Sequence, residues 1–591
     1  MSSKPSSALI GVLVVLIIIA GVVGYFAGSA ITPPQTVTTT VTQTVTKTVT
    51  AGVSPTSPSP STSPTTPIPT LKRTLTVLFA FPVQIDPALA IDWASLRAVN
   101  NIYDSLIRLG INGRPDPNVS VAYRWEVSED KLTWTFYIRK GIKFHSGREL
   151  TAKDVVFSLN RLLTMGLGPA FVFAPYIDSV KAIDDYTVQI KLKKPYGPFL
   201  YALTLLYILD SEEVMKHIKP TGEYGEYGDY GKEWLRTHDA GSGPYRVKEH
   251  VFGEKLILEK FEEYWGPVSP YAPDEVTLLP PPAPAAQVTL FLKGDIDITY
   301  ALPIETVLEY MGKEGIGIAK LLYGQQFIFV LNTKKPPLDD VHFRRALAYA
   351  FDYDKAIAAY IPGYAWKAIG PVASYLPGAP KDITYYERKL TLAKEELKKS
   401  KYYAELDKYT IELWWCAEDP YQEKIVMIFV ASAKELDPRI RIEVVKKPWS
   451  AMAEAESRIE STPHMMVLMS TPIFPEAGNV LHLKFHSEYA GKSLIHASWL
   501  LNETIDKLLD DALSTIDESA RFSKYRNIIK ILNEMVPEII AFDFAYTVLY
   551  WSYYIKWPSA EGKPPYGVQY TYDFRFIEVY PEKKAELFGK G

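Results

Sequence analysis

Apolar and polar positions follow short, regular patterns along most of the chain, and these patterns predict interleaved strands and helices. Residues 75–81 (LTVLFAF) form a continuous apolar run typical of a buried strand, whereas residues 132–144 alternate as a half-exposed strand does. Residues 409–415 and 440–446 are predicted strands on either side of an amphipathic helix over residues 423–436, which is a β-α-β pattern. The chain is therefore predicted to have an α/β fold.

Other helices are predicted from their starts and interruptions. Thr151 and Asp154 have the spacing of a capping box, in which side chain and backbone satisfy each other at the beginning of a helix. A helix is predicted over residues 341–360. A further helical stretch over residues 505–535 is expected to be interrupted near Asp517.

The N-terminal region differs in composition from the rest. Residues 1–7 form a short tail, and residues 8–30 contain no charged residue. That run suits a membrane-spanning helix of about 20 residues better than a cleaved signal, whose apolar part is about 7–15 residues long. Lys4 precedes the run and no charge follows until Lys47, which predicts a single-pass anchor with the body outside the cell.

A stalk is predicted between this anchor and the body. Residues 31–70 are rich in Thr, Ser and Pro, as in TVTTTVTQTVTKTVT and SPTSPSPSTSPTTPIP. Such a segment has too few apolar residues to pack a core, and its composition favours an extended spacer. The body is expected to begin near Leu71.

Length and composition limit the classes of protein that the body can be. The 591 residues exceed what one hydrophobic core usually holds, so two or three lobes are expected. A net charge of −4 without a basic run argues against nucleic acid as a partner. Cys416 is the single cysteine, which excludes an internal disulfide and a multi-cysteine metal site, and no cofactor is predicted.

Five stretches of the body carry related motifs in a fixed order. They are WEVSEDKLTWTFYIRKGIKFHSGRELTAKDVVFSLNRLL (125–163), GSGPYRVKEHVFGEKLILEKFEEYWG (241–266), LFLKGDIDIT (290–299), FIFVLNTKKPPLDDVHFRRALAYAFDYDKAI (327–357) and, more loosely, HMMVLMSTPIFPEAGNVLHLKFHS (464–487). Together they resemble the extracellular solute-binding proteins of family 5, the oligopeptide-, dipeptide- and nickel-binding components of ABC importers.

The resemblance implies an α/β fold of the periplasmic-binding-protein type, in which two lobes close on a ligand like a Venus flytrap. The implied divisions are a first lobe over residues 71–320 with an inserted subdomain over approximately residues 106–235, a second lobe over residues 321–544, and a return to the first lobe over residues 545–591. Hinges are expected near residues 320–326 and 541–548.

The resemblance also implies a role and partners. The protein would be a monomer that delivers a captured ligand to the permease and ATPase subunits of an importer. A membrane-tethered glycoside hydrolase, whose carboxylate pair has no short motif, and a structural protein of the cell surface are the alternatives. The chain has no Gly-x-Ser-x-Gly, His-Glu-x-x-His or phosphate-binding glycine motif, so we predict that it is not an enzyme.

The ligand loop departs from the family pattern. In peptide-binding members it carries Gly-Trp-x-x-Asp, and the Asp pairs with the α-ammonium group of the peptide. By resemblance, the Gly-Trp positions fall on Met469 and Ser470 and the Asp position on Ile473. An aliphatic side chain cannot offset the desolvation of an ammonium group, so either the ligand has no amine there or Glu476 supplies the charge.

Four tryptophans offer flat rings to a ligand. Trp414 and Trp415 end one predicted strand, Trp449 follows the next strand, and Trp93 lies in the first lobe. Strand ends face the cleft in this type of fold, although each ring could equally serve core packing. Together with Ile473, these rings favour a short oligosaccharide over a peptide as the ligand.

A metal site is not predicted. His482 and His486 are four residues apart, a spacing that could chelate an ion on one face of a helix. No carboxylate or thiol cluster is apparent beside them, and the FHSE stretch resembles an ordinary surface stretch of the family.

Overall fold

The computed structural model describes residues 71–589. The predicted tail, membrane span and stalk, over residues 1–7, 8–30 and 31–70, therefore lie outside the described residues. Between residues 71 and 589, none of the helices is both long enough and apolar enough to cross a membrane.

A four-stranded sheet is assembled from segments that are far apart in sequence. Its strand order is Thr74–Leu78, Glu275–Leu279, Lys255–Lys260 and Tyr245–Val251. The first two strands are parallel, and the other neighbours are antiparallel. Because the first strand pairs with one that follows a long insertion, this sheet is discontinuous in sequence.

The intervening chain forms an antiparallel sheet with a helix packed on it. The strand order is Ala122–Val127, Thr133–Ile138, Thr187–Leu192 and Ile177–Asp184. The helix Ala152–Met165 begins at the predicted capping box, where the Asp154 carboxylate accepts a hydrogen bond of 2.9 Å from the backbone N–H of Thr151. The prediction of this helix start is confirmed.

A six-stranded mixed sheet organises the remaining body. Its strand order is Ala365–Trp366, Glu538–Phe544, Gln326–Leu331, Met465–Ser470, Thr410–Cys416 and Arg441–Lys447. The last three strands run parallel, and the helix Pro420–Leu436 connects Thr410–Cys416 with Arg441–Lys447. The β-α-β pattern read from the sequence is confirmed.

Two short ribbons and the helices complete the described residues. The ribbons pair Gly317–Ile318 with Leu549–Tyr550 and Ile555–Lys556 with Glu578–Val579. The α-helices are Trp93–Ile102, Ala152–Met165, Ala170–Phe173, Phe199–Ala202, Ser211–Lys216, Pro284–Leu292, Ile304–Tyr310, Val341–Ala350, Tyr353–Ala358, Leu390–Lys399, Pro420–Leu436, Trp449–Ala455, Ala477–Phe485, Glu503–Ser514, Glu518–Met535 and Pro581–Phe588. The 3-10 helices are Leu203–Leu205, Gly225–Tyr227, Trp234–Arg236, Tyr403–Lys408, Ser487–Tyr489, Leu494–His496, Pro558–Glu561, Val568–Tyr570 and Phe574–Phe576.

The helix predicted over residues 341–360 is in fact two helices, Val341–Ala350 and Tyr353–Ala358. Phe351 leaves the helical conformation, with φ −60° and ψ 136°. The Asp352 side chain then accepts a hydrogen bond of 3.0 Å from the first turn of the second helix, which therefore has its own cap. The prediction of one continuous helix was wrong.

Two chain segments join the six-stranded sheet to the rest of the protein, and they pair with each other. Leu321 and Tyr546 exchange two backbone hydrogen bonds of 3.0 Å. These segments coincide with the predicted hinges near residues 320–326 and 541–548. Motion about them and the boundaries of the lobes remain predictions.

A buried ion pair connects the helix of the inserted region with the segment between the strand Thr74–Leu78 and the helix Trp93–Ile102. Arg161, on the helix Ala152–Met165, donates two hydrogen bonds to Asp86, of 2.7 Å from Nη1 to Oδ1 and 2.6 Å from Nη2 to Oδ2. Both side chains are at most 1% exposed. A two-pronged pair of this kind is strong, and losing one partner leaves the other charge buried without compensation.

We expect Asp86→Ala to lower the free energy of unfolding by about 3–5 kcal/mol, because Arg161 would keep its charge in a buried place. Chemical denaturation measures the change. The exposed pair Lys191–Asp178, whose Nζ and Oδ2 atoms are 3.5 Å apart, provides the control. Asp178→Ala should leave stability unchanged within error, and equal losses in both variants would contradict the prediction.

Candidate functional site

Three parallel strands of the six-stranded sheet end at the same edge. Thr410–Cys416 lies between Arg441–Lys447 and Met465–Ser470 and is parallel to both. In open α/β sheets, the crevice outside the carboxyl ends of the strands is the usual place for a ligand. Gln326 pairs with Ser470, so this edge also adjoins the segment that leads to the rest of the protein.

Buried polar atoms without a hydrogen-bond partner collect at and beside this edge. Gln325 is fully buried, and within residues 71–589 neither the oxygen nor the nitrogen of its side-chain amide has a partner. The same is true of Gln326 Oε1, Trp414 Nε1, Trp449 Nε1 and Thr471 Oγ1. Other buried side-chain atoms of the described residues also lack a partner, but these six lie at or beside the edge where this type of fold binds a ligand, and a polar ligand there would supply partners for them.

A hydrogen-bond network holds the connecting segment next to these atoms. Asp543 accepts a hydrogen bond of 2.7 Å from Gln326 Nε2 and another of 2.7 Å from the backbone N–H of Ser374. Burial raises the pKa of Asp543 to about 6. The Tyr375 hydroxyl accepts hydrogen bonds of 2.8 Å and 3.2 Å from two backbone N–H groups of the segment. These hydrogen bonds therefore hold Gln325 through its backbone and Gln326 through its side chain.

The predicted tryptophans of this sheet lie in different environments. Trp415 is 4% exposed and points to the same side of its strand as the fully buried Leu413, so it packs in the core. Trp414 points to the other side and is half-buried, with Lys447 Nζ 4.6 Å from the centre of its ring. Trp449 is also half-buried and begins the helix Trp449–Ala455. Trp414 and Trp449 are thus half-buried rings at the edge, and their contact with a ligand remains a prediction.

Trp93 packs against the connecting segments instead. Its ring meets the ring of Tyr323 edge-on, with centroids 5.5 Å apart, and that of Tyr546 at 6.3 Å. Arg97, one turn further along the same helix, is buried with its guanidinium carbon 4.9 Å from the centre of the Tyr323 ring. In the part of the chain that the structure describes, no ring contact joins Trp93 to the other predicted tryptophans.

Glu476 is a buried acid with a counter-charge of its own. Its Oε1 lies 3.1 Å from Arg521 Nε, and its Oε2 accepts a hydrogen bond of 2.6 Å from the backbone N–H of Gly478, which caps the helix Ala477–Phe485. Neither charged side chain is more than 2% exposed. A ligand amine would therefore have to compete with Arg521 for this carboxylate.

Ser470 and Ile473 lie in and after the strand Met465–Ser470. Ser470 is 1% exposed and faces Gln326 across the sheet. The side chain of Ile473 is half-buried, and its backbone N–H donates a hydrogen bond of 2.9 Å to Asn479 Oδ1. Contact between a ligand and either residue remains a prediction.

A carboxylate beside the tryptophans was not predicted. Glu418 lies two residues beyond the strand Thr410–Cys416, and its Oε2 accepts hydrogen bonds from the backbone N–H of Trp449 at 3.0 Å and from Cys416 Sγ at 3.1 Å. Burial raises the pKa of the Cys416 thiol to about 12, so the thiol keeps the proton that it donates. An acidic residue three positions after the pair Trp414–Trp415, just beyond the end of the strand, is the signal that could have identified Glu418.

The chain belongs to a known family of binding proteins. Residues 116–492, more than half of the chain, match the family described as bacterial extracellular solute-binding proteins, family 5, middle region. The family membership inferred from the five motifs is confirmed. Because the family and its named relatives are solute-binding proteins, the prediction that the chain is not an enzyme is confirmed as well.

Curated relatives are similar over most of their length. The probable D,D-dipeptide-binding periplasmic protein DdpA of Escherichia coli (strain K12) is 27% identical over 476 residues, which cover 79% of this chain and 87% of that protein. The dipeptide-binding protein of the same organism is 26% identical, with 74% and 83% covered. Heme-binding protein A of Haemophilus influenzae is 24% identical, with 78% and 84% covered.

Solved structures share the fold. The periplasmic binding protein DppA of Helicobacter pylori, in complex with the peptide STSA, has a TM-score of 0.67 at 23% identity and covers 86% of this chain and 98% of its own. The ABC transporter substrate-binding protein CtaP of Listeria monocytogenes has a TM-score of 0.73 at 20% identity, with 86% and 99% covered. The predicted α/β fold of the periplasmic-binding-protein type is confirmed.

We expect Glu476→Ala to destabilise the fold rather than to remove a ligand contact. Arg521 would stay buried without a counter-charge, so the free energy of unfolding should fall by about 3–5 kcal/mol in chemical denaturation. Glu503→Ala, which breaks an exposed pair with Lys507, should leave stability unchanged within error. Unchanged stability of Glu476→Ala together with lost ligand binding would show instead that Glu476 faces the ligand.

Proposed function

We propose that this protein is the extracytoplasmic substrate-binding component of an ABC importer and that it captures peptides. The relatives named for dipeptides and the solved structure with a bound peptide support this choice of ligand. None of the relatives described above is named for a sugar, so the comparisons do not support the oligosaccharide that the sequence favoured.

The observation that carries the proposal is the set of buried, unpaired polar atoms at the sheet edge. A peptide backbone presents N–H and C=O groups in alternation. Gln325 offers both a donor and an acceptor, Gln326 offers an acceptor, and the indoles of Trp414 and Trp449 offer donors. Each such group costs about 1–3 kcal/mol when it is buried without a partner, so a peptide that supplies partners is favoured by that free energy.

Glu418 and Lys447 suit the two charged ends of a short peptide. Glu418 lies against the start of the helix that carries Trp449, where an ammonium group would meet both a carboxylate and an aromatic face. Lys447, beside Trp414, is the matching cation for a terminal carboxylate. Glu418 thus supplies the charge that is missing at Ile473, which removes the physical reason for preferring a neutral sugar.

In this account, the two lobes close on the peptide about residues 320–326 and 541–548. The Tyr421 hydroxyl donates a hydrogen bond to the carbonyl oxygen of Leu302, which supports an approach of the predicted second lobe to the first. An anchor over residues 8–30 would hold the monomer outside the membrane, close to the permease and ATPase subunits.

Calorimetric titration with synthetic peptides of two to five residues tests the proposal. For the peptide that binds most tightly, we expect Glu418→Gln to weaken binding by about ten- to a hundredfold, because a charge-assisted hydrogen bond contributes about 1.5–3 kcal/mol. The N-acetylated form of that peptide should bind wild type weakly and should be affected little by the same substitution. Trp449→Ala should weaken both forms by a similar factor.

Trp234 provides the matched control. It stacks on His217 in the inserted region, with ring centroids 4.3 Å apart, and lies in the 3-10 helix Trp234–Arg236, outside the sheet that carries the proposed site. Trp234→Ala should therefore leave peptide affinity unchanged. Absence of binding by every peptide in the series, or binding of oligosaccharides in their place, would contradict the proposal.

A further inference from the structure

Three side chains that can bind a metal ion, two imidazoles and one carboxylate, lie close together at the C-terminal end of the helix Ala477–Phe485. His482 lies in the last turn, His486 follows as the C-terminal cap, and the turn Ser487–Tyr489 folds Glu488 back towards the helix. One donor atom from each of the three residues lies within 4.8 Å of the others. This cluster is separate from the sheet edge described above.

The spacing of the donor atoms is close to what a tetrahedral ion requires. Metal–ligand bonds of about 2.0–2.2 Å place two ligand atoms about 3.3 Å apart around a tetrahedral centre. His482 Nε2 lies 2.8 Å from Glu488 Oε1, and His486 Nδ1 lies 3.8 Å from the same oxygen. One distance is slightly short and the other slightly long, so a small movement of the half-exposed Glu488 side chain would satisfy both.

Binding an ion would change the contacts of both imidazoles. His482 Nε2, which lies 2.8 Å from Glu488 Oε1, would exchange this contact for a bond to the metal. Metal binding needs the His482 proton on Nδ1, and at His486 it replaces the long hydrogen bond of 3.2 Å that Nδ1 accepts from the backbone N–H of Glu488.

An open cavity of about 360 Å³ lies near the cluster, beside the inserted region, although none of the three residues lines it. Asp510 lines this cavity, and its Oδ2 lies 3.7 Å from His486 Nε2, a buried nitrogen without a hydrogen-bond partner in residues 71–589. Lys194 lines the same cavity, and its positive charge acts on both His482 and Glu488. Asp510 therefore favours a cation here and Lys194 opposes it.

We propose that His482, His486 and Glu488 bind one divalent transition-metal ion, with solvent completing its coordination. Two imidazoles and one carboxylate suit Zn²⁺, Ni²⁺ or Co²⁺, whereas Ca²⁺ and Mg²⁺ prefer oxygen ligands alone. The site lies at the opposite end of the helix from Glu476 and the ligand loop. No metal site was predicted from the sequence because Glu488 was not considered. Glu488 lies close to the two histidines only because the chain turns after His486.

Zn²⁺ and Co²⁺ are the probes, added to the full-length protein after treatment with a chelator and removal of the chelator. We expect one equivalent of Zn²⁺ to bind in calorimetry and one equivalent of Co²⁺ to produce visible d–d absorption. His486→Ala and Glu488→Gln should each weaken Zn²⁺ binding by at least about tenfold. Lys194→Gln should strengthen it, because the substitution removes the opposing charge.

The matched control is the pair His342–Glu396, with 2.8 Å between Nδ1 and Oε2, which repeats the His482–Glu488 contact with a single imidazole. His342→Ala should leave Zn²⁺ binding unchanged, and Glu488→Gln should keep wild-type affinity for peptide. The proposal is overturned if wild type binds no stoichiometric metal, or if His342→Ala weakens binding as much as His486→Ala. Binding that survives both His486→Ala and Glu488→Gln would also overturn it.

Discussion

The two segments that join the six-stranded sheet to the rest of the protein are hydrogen-bonded to each other, through Leu321 and Tyr546. The first of them runs directly into the sheet edge and carries Gln325, whose amide has no partner within the described residues. Trp93 packs on the same pair of segments through the ring of Tyr323. If the angle between the six-stranded sheet and the rest of the protein changes, these two paired backbone segments must bend. They also border the proposed site.

The hydrogen-bond and ion-pair partners of each charged group near that edge show whether its charge is compensated within the fold or is available to a ligand. Glu476 is neutralised by Arg521 in a fully buried pair, so its charge already serves the fold. Glu418 is only half-buried and accepts hydrogen bonds from a backbone N–H and a thiol, neither of which carries a charge. Its negative charge is therefore left for a ligand, and the half-exposed Lys447 offers a positive charge beside Trp414. A zwitterionic peptide fits this arrangement better than a neutral sugar does.

Local sequence signals predicted much of the fold, because capping and periodicity act over a few residues. The interruption at Asp517 was identified correctly, since its side chain caps the helix Glu518–Met535 through Ala520. The candidate site was harder to predict because its residues depend on distant partners. Nothing near Glu476 in sequence shows that Arg521 is its partner. Likewise, alternation along a strand places Trp414 and Trp415 on opposite faces but does not say which face meets the core.

The central claim is that a peptide binds at this sheet edge and draws the two parts of the protein together. Hydrogen–deuterium exchange of the full-length protein, with and without its tightest-binding peptide, tests both points in one measurement. The account predicts slower exchange at residues 416–418, 470–473 and 320–326, and no change in the outlying strand Ala122–Val127. Peptide-induced protection confined to the inserted sheet, with the edge unchanged, would contradict it.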